Sequence, residues 1–437
     1  MERSAAAVLR LQRTAGNRAV ARGLCAGHRT LARYESPEHV DIGDKYAAQL
    51  AKWILTAEGK AWVKRYGLEK EVGGLATDWY ALGKRQIGHG PRSLSPGEII
   101  ALSGDFYESW VDLATAPKEE VDEILTAIHL EREGVLANAN ARYEEITKKY
   151  RKDPKQHYLE LARRNSPHFT PGNRRQWRKM HAEAVALAKQ QPQGKTKFRE
   201  ADFADPGAAH DDDFEQALFI DAAAGHFLTD AFAAGHLFDK DRLEVEIGSY
   251  IRANPPRPSN PEMGTYYGIV GAAGAMPQLV LKNIHDRMNR EGFEVSNDRG
   301  MTWRTFGDQF LEKAEDTQKI AALAVYVSRR QIYEARAGRD PKPEDVEALL
   351  PNQASVEAAT KLAISYIPAA AADVSGLIYR QRSMAPTQFG SIVGGIVQSN
   401  LETIGSPGRE RQLLDLQEQA RRTGMPQVAP QFTIKSW

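Results

Sequence analysis

The sequence has almost no cysteine, since Cys25 is the only one in 437 residues. A single thiol excludes an intrachain disulfide and a cysteine-rich metal site, so any metal ligands would be histidine, aspartate, glutamate or backbone groups. Long apolar runs are also missing. The best candidate, residues 268–281, is short, rich in glycine and alanine, and contains Pro277. We therefore expect no transmembrane segment.

An excess of charge of either sign is absent as well. Lysine and arginine number 58 against 57 aspartates and glutamates, for a net charge of +1, which argues against tight nonspecific binding to polyanions. The sequence contains no glycine-rich phosphate loop, no GxSxG and no HExxH. Nucleotide-dependent, serine-hydrolase and zincin functions therefore have no support. The first residues also lack the apolar core of a secretory signal.

What remains is the composition of a folded protein, with 42% hydrophobic and 26% charged residues. Helical periodicity and scarce strand signals predict a mostly α fold with at most a short β-hairpin, formed by residues 294–296 and 302–304. Long helices are expected over 308–336 and 353–381. Residues 117–150 mix charges of both signs, which predicts one long, solvated helix.

The most informative stretch is residues 216–239, which reads QALFIDAAAGHFLTDAFAAGHLFD. It follows an acidic run at 211–213, and acidic residues suit a helix start, so we predict a long helix that begins there. His226 and Asp230 are four residues apart and share one face of that helix. If the helix stays straight, His236 lies roughly 80° to the other side.

Two imidazoles and a carboxylate on an apolar helix need partners, because burying such groups unpaired is costly. They are good ligands for zinc. The alternative is a helix whose histidines bond to carbonyls while Asp230 faces water. Gly104 beside Asp105 predicts a helix end or a close approach. Further candidate ligands elsewhere favour the metal site: His39, Asp105, His168, His285 and Asp286.

The segment HFLTDAFAAGH resembles the central helix of the zinc-dependent phospholipase C and single-strand nuclease superfamily, in which His-x3-Asp-x5-His serves three zinc ions. The resemblance extends to LSGDFY around Asp105 and NSPHF around His168. It implies a phospholipase C-like helical domain over residues 34–315. We expect a helical extension, residues 316–422, packed on that domain and followed by an irregular tail, residues 423–437.

The resemblance also implies how the ligands divide among up to three zinc ions. The assignment follows order and context: Asp105, His168, His226 and Asp230 for one ion; His39 and a shared Asp230 for a second; His236, His285 and either Asp286 or Asn289 for a third. Asp105 is in addition the candidate catalytic base. The family has an acid where this chain has Asn289, so Asp286 would substitute if its helix ended there.

Residues 1–33 are rich in arginine and poor in large apolar side chains, which predicts a flexible basic leader. The segment LQRTAGNRAVAR within it is similar to a leader of actinobacterial proteins linked to extracellular contractile injection systems. This similarity implies that components of such a system are partners, and that the chain is cytoplasmic in the producing cell until it is exported. An arm without a role is the alternative. Cleavage before Tyr34 would instead create a free amine near His39.

These features predict a zinc-dependent phosphodiester hydrolase that is phospholipase C-like and acts as a toxin or effector cargo on phospholipid or another phosphodiester. Clustered divalent ions clamp a phosphodiester and lower the pKa of water toward about 7. One alternative is a single-strand-specific nuclease, for which Phe169, Tyr267 and Trp303 are available as stacking platforms. Another is a non-catalytic structural cargo protein that keeps the helical scaffold.

Overall fold

The fold is described by a computed structural model, and the description covers part of the chain: residues 36–73, 87–88, 93–136, 139–190, 212–254, 275–307 and 310–380. The predicted leader, residues 1–33, and the predicted tail, residues 423–437, lie outside these ranges, as does Tyr267. Within them the protein is mostly α, which confirms the predicted fold class.

The described α-helices run, in chain order, over Ser36–Val40 (α1), Ala47–Trp53 (α2), Ala57–Tyr66 (α3), Glu69–Val72 (α4), Pro96–Leu102 (α5), Trp110–Thr115 (α6), Lys118–Arg132 (α7), Ala139–Tyr150 (α8), Tyr158–Arg163 (α9), Gly172–Lys189 (α10), Asp212–Asp230 (α11), Lys240–Ala253 (α12), Ala275–Glu291 (α13), Glu315–Arg336 (α14), Pro343–Glu347 (α15) and Gln353–Arg380 (α16). A π-helical segment, Asp41–Tyr46, joins α1 to α2. Short 3-10 turns cover Pro154–Gln156, Ser166–His168, Ala234–His236 and Leu311–Lys313.

In the part of the chain that the structure describes, the strands form two short antiparallel pairs. Ile87–Gly88 (β1) pairs with Ser93–Leu94 (β2). Phe293–Ser296 (β3) pairs with Thr302–Thr305 (β4), with Val295 opposite Trp303. The second pair confirms the predicted hairpin, and its Val295 and Trp303 side chains are buried together on the inner face.

The centre of the fold is α11, and every residue from Ala217 to Phe238 is buried. A helix that is apolar on all sides belongs inside a protein, and α11 lies against α5, α10 and α14. Small residues permit these close approaches. A Cβ built on Gly225 would lie 3.0 Å from the Ile100 side chain of α5. The predicted domain boundary at residue 315 coincides with the start of α14, which packs directly on α11 and α10.

The predicted long helix is present, but it ends at Asp230, so the condition that it stays straight as far as His236 is not met. Ala233 is extended, and the chain turns through a 3-10 segment that carries His236. The next backbone amides find acceptors outside the helix: Ala234 N–H donates to the Phe306 carbonyl and Gly235 N–H donates to Asn289 Oδ1. These long-range bonds override the high helix propensity of the alanines.

The prediction of one long, solvated helix over residues 117–150 is also wrong. The segment forms α7 and α8, which pack against each other. Gly134, with a φ of +69°, allows the chain to leave α7. Ile124 and Ile128 of α7 and Ile146 of α8 are buried, so each helix carries an apolar face toward the core. Among the helices of the described ranges, none is both long enough and apolar enough to span a bilayer.

Candidate metal centre

Six of the eight predicted ligands converge at the end of α11. His226 and Asp230 occupy its last two turns, and His236 follows in the 3-10 turn after it. The others arrive from distant segments: His39 from α1, Asp105 from the loop after α5, and His168 from the turn Ser166–His168. All six side chains are buried.

Two groups of three side chains within the described ranges place ligand atoms within 4.8 Å of one another. One group is His39, Asp105 and His226; the other is His168, His226 and Asp230. Both consist of imidazole nitrogens and carboxylate oxygens, which are the donors that bind zinc and similar divalent ions. These buried histidines and aspartates could therefore hold a metal ion.

The Asp230 carboxylate lies between two pairs of imidazoles. Its Oδ2 is 2.7 Å from His168 Nδ1 and 3.4 Å from His226 Nε2. Its Oδ1 is 3.2 Å from His236 Nδ1 and 3.7 Å from His39 Nε2. Each oxygen thus faces nitrogens from two histidines.

The tautomer of His226 is fixed by the backbone. Its Nδ1 is 2.9 Å from the carbonyl oxygen of Ile100, and a carbonyl can only accept, so Nδ1 carries the proton. Nε2 therefore presents a lone pair, and it lies 3.0 Å from His168 Nδ1 and 3.7 Å from Asp105 Oδ1. An imidazole that donates one N–H to a carbonyl and offers its other nitrogen is typical of a metal ligand.

His39 is oriented in the same way by Thr229. The Thr229 hydroxyl donates its hydrogen bond to the carbonyls of Gly225 and His226, both within 3.0 Å. It therefore accepts from His39 Nδ1, 2.8 Å away, and His39 Nε2 keeps its lone pair toward Asp230. Sequence reasoning missed Thr229. A helical threonine often bonds to the carbonyl four residues back, but nothing in the sequence indicates its second bond, 190 residues away.

Gly104 leaves room for the imidazoles of His168 and His226. Its φ is +72°, a conformation that favours glycine. A Cβ at this position would lie 2.3 Å from His226 Cδ2 and 2.9 Å from His168 Cε1. The prediction of a helix end or a close approach beside Asp105 is confirmed on both counts, because α5 ends at Leu102.

His285 lies beyond His236, on α13. The two ring centroids are 5.1 Å apart, and Phe169 packs against both. Burial lowers the pKa of His285 to about 4, even though the hydrogen bond that His285 donates to Asp286 opposes that shift. His285 is therefore neutral near pH 7.

Asp286 acts on His285 from the far side of the ring. Its Oδ1 is 3.1 Å from His285 Nδ1, and its other oxygen pairs with Lys282. Burial raises the pKa of Asp286, but the bond to His285 and the charge of Lys282 outweigh it, so the pKa lies below its ordinary value. The helix continues to Glu291, so the condition under which Asp286 would replace the missing acid is not met.

No protein-family model, no curated protein and no solved structure matches the chain. The fold and the site by themselves define a mostly α protein with a buried cluster of histidines and aspartates that could hold a metal ion.

Proposed function

We propose that this protein is a zinc-dependent phosphodiester hydrolase of the phospholipase C-like kind. The observation that carries the proposal is the position of Asp230, whose two oxygens each face two imidazole nitrogens. Pairs of divalent ions that share a carboxylate are typical of enzymes that cleave phosphate esters. The donor set of neutral imidazoles and carboxylates fits zinc.

The residues divide into two groups around Asp230. His168 and His226 face its Oδ2, and His236 and His39 face its Oδ1. Asp105 lies near His226 and His39, with its Oδ1 3.7 Å from His226 Nε2. The histidine tautomers support this division, because Ile100 O and Thr229 Oγ1 hold the protons of His226 and His39 on the nitrogens away from Asp230. Neither imidazole needs to change its tautomer to bind an ion.

When bound, zinc supplies Lewis acidity, which neutralises a phosphodiester and makes water acidic near neutral pH. The chain supplies the rest. Asp105 has a carboxylate at the edge of the cluster, 3.7 Å from His226 Nε2, and would orient a water and accept its proton. Gly104 keeps the space beside His226 and His168 open. Phe227 packs against these two imidazoles and Phe169 packs against His236, so that both rings help to exclude bulk water.

Phospholipid is favoured over single-stranded nucleic acid by the aromatic side chains. A nuclease on this scaffold needs exposed rings on which bases can stack. Two of the three candidate platforms, Phe169 and Trp303, are buried in the core. Phe169 instead packs on His236, and Trp303 packs near Phe232.

Burial of the ligands supports a second candidate, a non-catalytic cargo protein that uses metal to hold its fold. Catalytic zinc sites keep one position open to substrate, whereas structural sites are closed. The side chains of His39, His226, Asp230 and His236 are all 0% exposed. Such a protein would bind zinc and lose stability on chelation without hydrolysing phosphodiesters.

The biological setting that we propose follows from the leader. Its segment LQRTAGNRAVAR, similar to that of proteins linked to contractile injection systems, suits a toxin or effector that is made in the cytoplasm and exported by such a system. The partners would then be components of the injection device and, in the target cell, phospholipid.

The test is a paired hydrolysis assay on phosphatidylcholine vesicles and on single-stranded DNA, with zinc or with chelator. We expect the vesicles to release phosphocholine, chelator to abolish the release and added zinc to restore it. A matched control is His129→Ala, which alters an exposed histidine of α7 away from the cluster and should leave the rate unchanged. DNA cleavage alone would support the nuclease. No hydrolysis, together with a chelator-sensitive melting temperature, would support the structural protein.

A further inference from the structure

The side chain of Asn289 has only one orientation that its surroundings allow. Gly235 N–H donates to Asn289 Oδ1 across 2.5 Å. Turning the amide over would place its NH₂ group against that N–H, so that two donors would face each other. A Cβ built on Gly307 would lie 1.7 Å from Asn289 Oδ1, so backbone encloses the amide on that side too. Asn289 Nδ2 therefore points toward His285.

His285 accepts the hydrogen bond from this amide on Nε2, the nitrogen that would have to bind a metal. Asp286 Oδ1 lies 3.1 Å from His285 Nδ1 and accepts a hydrogen bond from it. The proton of the neutral ring is therefore on Nδ1, and the lone pair is on Nε2. Asn289 Nδ2 lies 3.2 Å from that Nε2 and donates to it. Both nitrogens of His285 are thus engaged in hydrogen bonds whose directions are fixed by their neighbours.

His236 faces a different partner. Its Nδ1 is 3.2 Å from Asp230 Oδ1, the oxygen that also faces His39 Nε2. Two imidazoles and one carboxylate oxygen therefore meet on that side of Asp230. The His285 ring of α13 also lies near His236, with the ring centroids 5.1 Å apart, and His285 is bonded to Asn289.

We propose that the centre takes two zinc ions and not three: His236 joins His39 and Asp230 Oδ1 at the second ion, while His285 and Asn289 form a closed hydrogen-bonded pair that takes none. This departs from the third ion that the family resemblance implies. It rests on the metal-binding part of the proposed function and not on hydrolysis.

The decisive measurement is the zinc content of the purified full-length chain after equilibration with zinc, determined by elemental analysis. The parent chain should hold two ions, and His285→Gln should also hold two. Asn289→Asp should hold three, because a carboxylate keeps the bond from Gly235 N–H and presents an acceptor, instead of a donor, to His285 Nε2. Asn297→Asp is the matched control, since it buries the same extra carboxylate in the β3–β4 turn, and it should stay at two.

A parent chain with any number of zinc ions other than two would overturn the proposal, and so would the loss of one ion in His285→Gln. If Asn289→Asp folds and still holds two ions, the hydrogen bond from the Asn289 amide is not what prevents His285 from binding a third ion. If Asn289→Asp fails to fold, the parent chain and His285→Gln decide the matter. A chain that holds two ions but hydrolyses neither substrate leaves this inference intact and refutes only the proposed activity.

Discussion

His226 and His285 are alike in most respects and differ in one contact. Both are buried imidazoles on long helices, and both have Nδ1 fixed as a donor, to the Ile100 carbonyl and to Asp286 respectively. Nε2 of His226 faces a carboxylate and another imidazole. Nε2 of His285 faces the NH₂ group of Asn289. Whether a buried histidine is ready for a metal thus depends on the group opposite its second nitrogen, and burial alone does not decide it.

The largest effect should come from Asp230→Asn, which nearly preserves the shape of the side chain and removes its charge. Because each oxygen of Asp230 faces two imidazoles, we expect both zinc ions to be lost, with at least roughly a 100-fold loss of any hydrolysis. His236→Asn should remove only one ion. Zinc content per chain distinguishes these outcomes, and equal losses of one ion in both variants would contradict the bridging role.

Gly104→Ala should come next, because it tests the His226 side of the comparison without changing a ligand. The added Cβ would collide with His226 and His168, so we expect loss of the ion at Asp230 Oδ2. Gly300→Ala is a close control. Gly300 also has a positive φ, of +75°, but a Cβ there meets nothing within 4 Å. It should cost only about 1–2 kcal/mol of stability and no zinc. Equal zinc loss in the two variants would show that backbone strain, not crowding, is responsible.

Thr229→Val should have a smaller effect. The substitution keeps the shape of the side chain but removes the acceptor that holds the His39 Nδ1 proton. We expect zinc affinity at the second ion to fall about 10–100-fold, measured by competition with a zinc-binding dye. Thr147→Val, another buried threonine that bonds to a helical carbonyl, is the control and should keep full affinity. Unchanged affinity in Thr229→Val would show that His39 is oriented by other contacts.

The smallest effect concerns pH and belongs to His285. In protein stripped of metal, the folded-state pKa of His285 is about 4 against an ordinary value of 6.5. The unfolded chain therefore binds a proton between these values that the folded chain does not. The free energy of unfolding should fall as pH drops from about 6.5 toward about 4 and be unaffected by this group above about 7.

His285→Gln removes that titration, so at pH 5 the parent chain should lose roughly 2 kcal/mol relative to pH 7 that the variant does not lose. Urea unfolding of both proteins at the two pH values measures the difference. Parallel losses in the two proteins would show that His285 is not held neutral by the fold.

The candidate ligands His226 and Asp230 could be recognised in the sequence because the signal that marks them is local. The spacing of His226 and Asp230 places them on one helical face whatever the rest of the chain does, and Gly104 beside Asp105 indicated the close approach that the structure has. The break after Asp230 was not predictable in this way. It depends on bonds to Phe306 and Asn289, which are more than 50 residues further along the chain.

The difference between local and long-range determinants also explains why the helical character of residues 117–150 was predicted and their division into two helices was not. The helical character of this segment follows from local propensity and was predicted correctly. Its division into α7 and α8, with Ile124 and Ile146 buried, depends on how the two helices pack together and on the core that they cover. The orientation of Asn289 is of this second kind, because Gly235 N–H fixes it from outside α13.

The convergence of distant segments on Asp230 has a consequence for the unfolded chain. The bond from His39 to Thr229 spans 190 residues, and the bond from His168 to Asp230 spans 62. Ions bound here would tie these segments together as crosslinks do in a chain whose single cysteine permits no internal disulfide. Crosslinks stabilise chiefly by lowering the entropy of the unfolded state, by roughly 4–5 kcal/mol for a closed loop of about 100 residues and only slowly more for longer ones. Much of the stability contributed by zinc would then come from restricting the conformations of the unfolded chain. Chelation would release α1 and the Ser166–His168 turn from α11 before the apolar core unfolds.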